Sequence, residues 1–315
     1  MLNRDQLEAF AAVVEYQSFE RAATAISITR GAISQRIKLL EEALCVVLLI
    51  RDRPVLPTAA GESLLRHVKT VRMLEQEVYR QIAPHGKGQE RIRLAVAVNA
   101  DSLATWFSAC SAEVLQLLPV ALEVLVEDQD HTWSMLLRGD VVGCVSTEPK
   151  PAQGFEVVEL GAMEYRCVAT SAFAQIHFPQ GLRANEVASV PAVVFNRKDA
   201  LHEEFLKLLF GVTMERYVKH YFPSPSALLN AIRMSGGYGV VPEEQARGFL
   251  GSGELVDLAP STPLRVPLYW HHWRQESPLV HRITSLIVQS ARHALLFDAA
   301  NHTGSHNKPL TAINA

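Results

Sequence analysis

Cysteine is scarce: four in 315 residues, at Cys45, Cys110, Cys144 and Cys167, too widely spaced for a disulfide framework or a paired-thiolate metal site. All four lie in apolar surroundings, so reduced, buried thiols are expected. Long apolar runs are absent as well. The longest, Ala43 to Ile50, falls far short of the roughly 20 residues that cross a bilayer, and MLNRDQLEAF lacks the basic-then-apolar order of a signal peptide. A cytoplasmic protein with no membrane partner is therefore expected. Catalytic signatures are missing too, with no H-E-x-x-H, G-x-S-x-G or P-loop. His271 and His272 invite a catalytic or metal reading, but adjacent side chains on a strand face opposite ways and do not converge. The expectation is a non-enzyme with no cofactor and no metal. Nor does one sign of charge dominate, since 30 Lys and Arg stand against 33 Asp and Glu, a formal net charge of -3. A small basic head can be outvoted by a larger acidic body, so DNA binding has to be judged locally.

What is present begins with 48% hydrophobic residues, over a length that favours about two domains. Residues 18 to 53 read as two helices across a tight break, then a short apolar strand that ends in Arg51 and Arg53. In the second helix Ile33, Ile37, Leu40 and Leu44 recur with helical spacing and predict one buried stripe. Gly31, Gln35 and Lys38 point away from it, Ser34 flanks it, and Arg30 sits in the first turn after a Thr29 cap. Such a face can enter a major groove, where Gln35 pairs with a base edge and Arg30 and Lys38 reach bases or phosphates. The preceding helix starts at a Ser18 cap and turns Phe19, Ala22, Ala23 and Ile26 inward. Its two alanines are small enough for a helix-turn-helix crossing. From residue 21 to 53, Arg21, Arg30, Arg36, Lys38, Arg51 and Arg53 oppose Glu41, Glu42 and Asp52, and six minus three gives a local +3. The candidate DNA-binding residues are Arg21, Arg30, Gly31, Ser34, Gln35, Lys38, Arg51 and Arg53.

The order F-x-x-A-A at Phe19, A-x-S-x-x-I-x-x-L-E from Ala32 to Glu41, then L-x-R and T-x-x-G from Thr58 to Gly61, resembles the LysR-type transcriptional regulators. The likeness covers nearly the whole chain. It implies an α/β protein with an N-terminal winged helix-turn-helix, a long dimerisation helix, and a two-lobed effector domain similar to periplasmic binding proteins. On this sequence the parts fall at 1–57, 58–83, a hinge at 84–90, and an effector domain at 91–300, followed by a disordered tail at 301–315. Lobe I takes about 91–163 and 266–300, and lobe II about 164–265. Two departures stand out: family members usually have Gly where this chain has Cys45 and Pro where it has Val47, which should change the helix-to-wing turn. The implied partners are double-stranded DNA and a second copy of the chain, with tetramer formation and RNA polymerase contact beyond that.

Read in order, Leu7, Phe10, Ala11 and Val14 give a supporting helix over residues 4 to 16. Pro54 and Pro57 close the wing, and Thr58 caps a helix to about Ile82. On that helix Leu64, Val71 and Val78 are seven apart, with Val68, Leu74 and Ile82 beside them, which predicts a dimer seam and hence a roughly palindromic site. Pro84, His85, Gly86, Lys87 and Gly88 then break every periodicity. Strands and helices alternate from there: Ile92 to Val98, a helix from about Ser102 to Leu118, Ala121 to Val126, a helix near Thr132 to Leu137, and Val142 to Val145. This is an α/β lobe with a parallel sheet. Glu164 to Ala169 crosses into a second lobe with a strand at Ala192 to Phe195 and helices at Ala200 to Leu209 and Ala227 to Met234. Gly236, Gly237 and Gly239 mark a tight helix-to-strand turn. Leu264 to Trp273 returns to the first lobe, and Leu279, Ile283, Leu286, Ile287 and Leu295 mark a closing helix.

In such lobes ligands sit beyond the carboxyl ends of the strands, and the cleft between two lobes is the expected place. The candidate effector residues are Asn99, Asp101 and Ser102 at a helix start, the acidic Glu127, Asp128 and Asp130, then Ser146 and Thr147, with Ser224 and Ser226 from the second lobe. Acids suit a cationic side chain and a helix start suits a carboxylate, which together describe a basic amino acid. The runs VNADSLATWF, EDQDHT, GDVVGCVST and PLYWHHW resemble the LysG and ArgP type within the LysR family. That subgroup implies a sensor of lysine or arginine that controls amino-acid export or metabolism. It also carries the label of chromosome-initiation inhibitor, so the alternative is an architectural DNA-binding protein or replication-origin binder with no required ligand.

Overall fold

The computed structural model describes residues 2–82, 91–126, 129–214 and 216–297, and for 129–131 the backbone only. The head consists of α1 (Arg4–Tyr16), α2 (Phe19–Ala25), α3 (Arg30–Leu44), the two-residue strands β1 (Leu49–Ile50) and β2 (Leu56–Pro57), and the start of α4 (Ala59–Ile82). Side-chain caps start the first three helices: Asn3, Ser18 and Thr29 accept from the backbone N–H of Gln6, Arg21 and Ala32. Phe10, Ala22, Ala23, Ile33, Ile37 and Leu40 fill the space between them, and β1 pairs antiparallel with β2 to make the wing.

Three expectations need correction here. Leu44 is 37% exposed, because Leu48 and Leu49 of the following turn take the core positions at that end of α3. Cys45 is exposed rather than buried, since it sits beyond the last turn. Val68 is drawn with Leu65 into the head core, and Leu64 packs against it, so these do not belong to a free seam. The exposed large apolar residues of α4 are Leu74, Val78, Tyr79 and Ile82, with Val71 half-buried on the row of Leu74, Val78 and Ile82.

The chain divides into two compact units. One joins the head and α4 to residues 91–103, 107–158 and 270–288, and the other takes residues 104–106, 159–269 and 289–297. In the first, β3 (Ile92–Val98) is followed by α5 (Ala100–Ala104), α6 (Trp106–Leu117), β4 (Val120–Val126), α7 (Gln129–Arg138) and β5 (Gly143–Ser146). β3 pairs parallel with β4 from Ile92↔Val120 to Val98↔Val126, and parallel with β5 at Val96↔Gly143 and Ala97↔Cys144. The single helix expected from Ser102 to Leu118 is broken at Thr105. There the Ser108 hydroxyl takes the Leu103 carbonyl, a competitor to the backbone ladder.

β6 (Phe155–Thr170) leads into the second unit. There follow α8 (Ser171–His177), α9 (Ala184–Val187), β7 (Ala192–Val194), α10 (Leu201–Phe210), β8 (Lys219–Tyr221), α11 (Pro225–Arg233), β9 (Gly239–Pro242), α12 (Glu243–Ser252) and β10 (Leu255–Asp257). β6 pairs antiparallel with β9 and β10, while β7 and β8 form a parallel pair. At the turn into β9 the glycines are required by close approach: a Cβ on Gly237 would lie 2.5 Å from the Pro191 carbonyl oxygen, and one on Gly239 would lie 2.6 Å from that of Val193. β11 (Leu264–Trp273) returns to the first unit and α13 (Pro278–Ala294) follows. The breaks expected at 84–90 and in the tail from Asn301 lie outside the described residues. Among those described, no helix is long and apolar enough to cross a membrane.

Candidate functional site

α3 buries Ile33, Ile37 and Leu40 in the head, which leaves Arg30, Gly31, Gln35 and Lys38 exposed on the far side and Ser34 half-buried at the flank. Packing does not demand glycine at Gly31, where a Cβ would meet only the Thr29 hydroxyl, at 4.0 Å. Arg30 lies 3.0 Å from Glu20 of α2, and Lys38 lies 3.7 Å from Glu42 one turn on. Both pairs are exposed, so water screens them and either cation can turn to a phosphate at little cost. Arg21, Arg51 and Arg53 are exposed as well. Arg36 is different: it reaches Asp5 of α1 at 3.0 Å and ties two helices together.

Sequence reasoning missed Glu41. It entered as one of three negative charges, yet its carboxylate is largely buried and accepts from the backbone N–H of Leu48 at 2.9 Å while holding Arg51 at 2.9 Å. Glu41 thus fastens the wing to the recognition helix, and its place at the end of the A-x-S-x-x-I-x-x-L-E run was the available signal. The Thr58 hydroxyl adds a second tie by donating to the Val47 carbonyl at 2.8 Å, while accepting from the Gly61 N–H at the start of α4.

In the first unit the segments after β3, β4 and β5 leave neighbouring parallel strands at their carboxyl ends, the usual place for ligands in such sheets. Asn99 accepts from the Ser102 N–H at 2.9 Å and so starts α5; Asp101 is half-buried and Ser102 fully buried. Ser146 accepts from the Glu148 N–H at 3.1 Å, and both it and Thr147 are half-buried. Glu127 and Asp128 lie outside the described residues, as does the side chain of Asp130. Ser224 and Ser226 stand at the start of α11 in the second unit, where the Ser224 oxygen is the helix cap that accepts from Ala227.

The paired histidines have separate partners. His271 Nε2 lies 2.7 Å from the Glu148 carbonyl oxygen, and burial lowers its basicity. His272 Nδ1 lies 2.9 Å from Glu276; burial alone would lower its pKa, but the Glu276 contact outweighs that and raises it.

The description "Bacterial regulatory helix-turn-helix protein, lysR family" matches residues 4–62, and "LysR substrate binding domain" matches residues 87–292. The chain belongs to the LysR family of bacterial regulators. Within that family it falls in the ArgP and LysG subgroup. It is 41% identical over 290 residues to the transcriptional regulator ArgP of Pseudomonas aeruginosa, covering 92% of this chain and 96% of that one. It superimposes on ArgP from Mycobacterium tuberculosis with a TM-score of 0.83 at 38% identity, covering 94% and 99% of the two chains. Full-length LysG from Corynebacterium glutamicum with bound effector Arg matches with a TM-score of 0.81 at 35% identity, covering 93% and 99%. This regulator is therefore a DNA-binding transcription factor and not an enzyme, and its mixed α/β architecture is that of the two-lobed effector-binding family.

Proposed function

We propose that this regulator binds a basic amino acid, arginine or lysine, at the carboxyl ends of β3, β4 and β5 and changes its hold on DNA in response. The full-length likeness to an arginine-bound LysG carries this reading. The chemistry of this chain supports it. Glu127, Asp128 and Asp130 supply carboxylates for the cationic end of the ligand, while Asn99, Asp101, Ser102, Ser146 and Thr147 supply polar partners for its amino-acid end. Gln35 and Arg30 read base edges, with Gly31 and Ser34 beside them, and Arg21, Lys38, Arg51 and Arg53 neutralise phosphates. Two copies joined along Val71, Leu74, Val78 and Ile82 present two recognition helices to a roughly palindromic duplex in the cytoplasm. Further pairing gives a tetramer, contact with RNA polymerase gives the output, and the regulated genes serve amino-acid export or metabolism.

Calorimetric titration of wild type and Asp128→Asn with arginine, lysine and norleucine tests the reading. Asp128→Asn keeps the size and removes the charge, so basic amino-acid binding should weaken by about 1–3 kcal/mol. If norleucine binds as well as lysine, or if Asp128→Asn combined with Asp130→Asn leaves affinity unchanged, the acidic segment is a solvated surface and the reading falls.

A further inference from the structure

Helix α7 connects two places that matter to this regulator. Its first turn carries Asp130, the last of the proposed acidic effector residues, and its last turn lies against α4, the helix that leaves the DNA-binding head. That last turn is held by two cations of α4. Arg66 donates to the Leu137 carbonyl, and Lys69 donates to the Arg138 carbonyl at 3.2 Å and to Asp140 at 2.9 Å. The final carbonyls of a helix have no partner within it and carry its negative pole, so two cations there are favourably placed. Asp140 completes the clasp. Burial alone would raise its carboxyl, but Lys69 and Arg138 outweigh that and hold it low.

The fit between the two helices is close. A Cβ on Gly139, whose φ is +69°, would sit 3.2 Å from the Lys69 side chain, 3.3 Å from that of Arg66 and 3.1 Å from Trp273. A side-chain link runs beside the backbone one: Trp133 of α7 packs at 5.9 Å from Phe155, and the Arg66 guanidinium lies over the same Phe155 ring at 4.9 Å. On its other side α4 grips the head, burying Leu65 and Val68 in the head core and pairing Arg72 with Glu8 and Glu15 of α1.

We infer that Arg66 and Lys69 are coupling residues: touching neither effector nor DNA, they pass a displacement of α7 into α4 and so to the recognition helices. The inference rests on the proposed effector reading. A ten-residue helix is a stiff rod of about 15 Å, so movement of its first turn on ligand binding is delivered at its last. A clasp of fixed ion pairs and helix-end hydrogen bonds passes that movement on, where a loose surface contact would absorb it.

The test uses the full-length protein and an operator fragment selected in vitro with it. Arginine binding is measured by calorimetry and operator affinity by fluorescence anisotropy, with and without saturating arginine. Wild type is expected to change operator affinity by roughly 5- to 150-fold. Arg66→Gln with Lys69→Gln is expected to bind arginine, and to bind operator without arginine, within about twofold of wild type, while its arginine response falls below about twofold. The charge-conserving pair Arg66→Lys with Lys69→Arg is expected to keep the response. A full response in the double glutamine variant overturns this inference and leaves the effector reading intact. Loss of arginine binding in that variant also overturns it, since the residues would then support the site itself. A wild type that binds neither arginine nor lysine overturns both readings together.

Discussion

At Cys45 a side chain occupies backbone geometry that usually belongs to glycine. Its φ is 52° and ψ 35°, and its thiol donates a weak hydrogen bond to the Glu42 carbonyl at 3.5 Å. Left-handed geometry costs a residue with a Cβ roughly 1 kcal/mol, so Cys45→Gly should stabilise the head by a fraction of that, read as a higher melting temperature. An unchanged melting temperature would show that the Sγ contact offsets the strain. At the DNA face, Gln35→Ala should lose about 1–3 kcal/mol of discrimination at one base position, whereas Lys38→Ala should weaken all sequences alike and reduce the salt slope by about one unit. Equal losses on operator and random DNA for Gln35→Ala would remove it from base readout. Gel shifts across a salt series distinguish the two behaviours.

The element with most to do is α4, because three of its faces are used differently. Leu65, Val68 and Arg72 face the head, and Arg66 and Lys69 face α7. Leu74, Val78 and Ile82 face solvent, with Ile82 76% exposed. A 24-residue helix with an apolar row open to water is a natural seam for a second copy, and each Val78 would then meet its equivalent or a close neighbour. Val78→Glu places like charges in that seam. It should raise the dimer dissociation constant at least about tenfold, or 1.4 kcal/mol, as measured by sedimentation velocity. A dimer that persists at wild-type strength would move the seam off this row.

Over the whole molecule, acid and base should weaken different parts. In the second unit His202 is fully buried against Tyr217 and Tyr238, and burial lowers its pKa to about 4. The unfolded chain, with a histidine pKa near 6.5, binds more protons between those values, so stability falls as pH drops through that window by up to about 1.4 kcal/mol per unit. His272 in the first unit runs the other way. Its folded pKa is raised, so its contribution is fully present below about 6.5 and is lost as pH rises through the folded value. Melting curves from about pH 6.5 down to about 4 should show a slope that His202→Asn flattens. If the slope survives the substitution, another group carries it.

The sequence by itself determined the helices of the head, the exposed side of α3 and the change from helical to alternating strand and helix pattern after residue 91. These depend on caps and periodicity, which act over a few residues and can be read locally. Leu64 shows where that reading stops, since it packs against the head core, and the seven-residue spacing that predicts a seam holds equally for a helix packed on its own head. Glu41 and Arg36 show the same limit: their charges were counted correctly, but Arg36 is neutralised by Asp5, 31 residues away, and Glu41 is committed to the wing. Lys69 and Asp140 meet across 71 residues. No local signal specifies such a partner, because an ion pair or a core position is chosen by which surfaces pack together, and only the tertiary structure decides that.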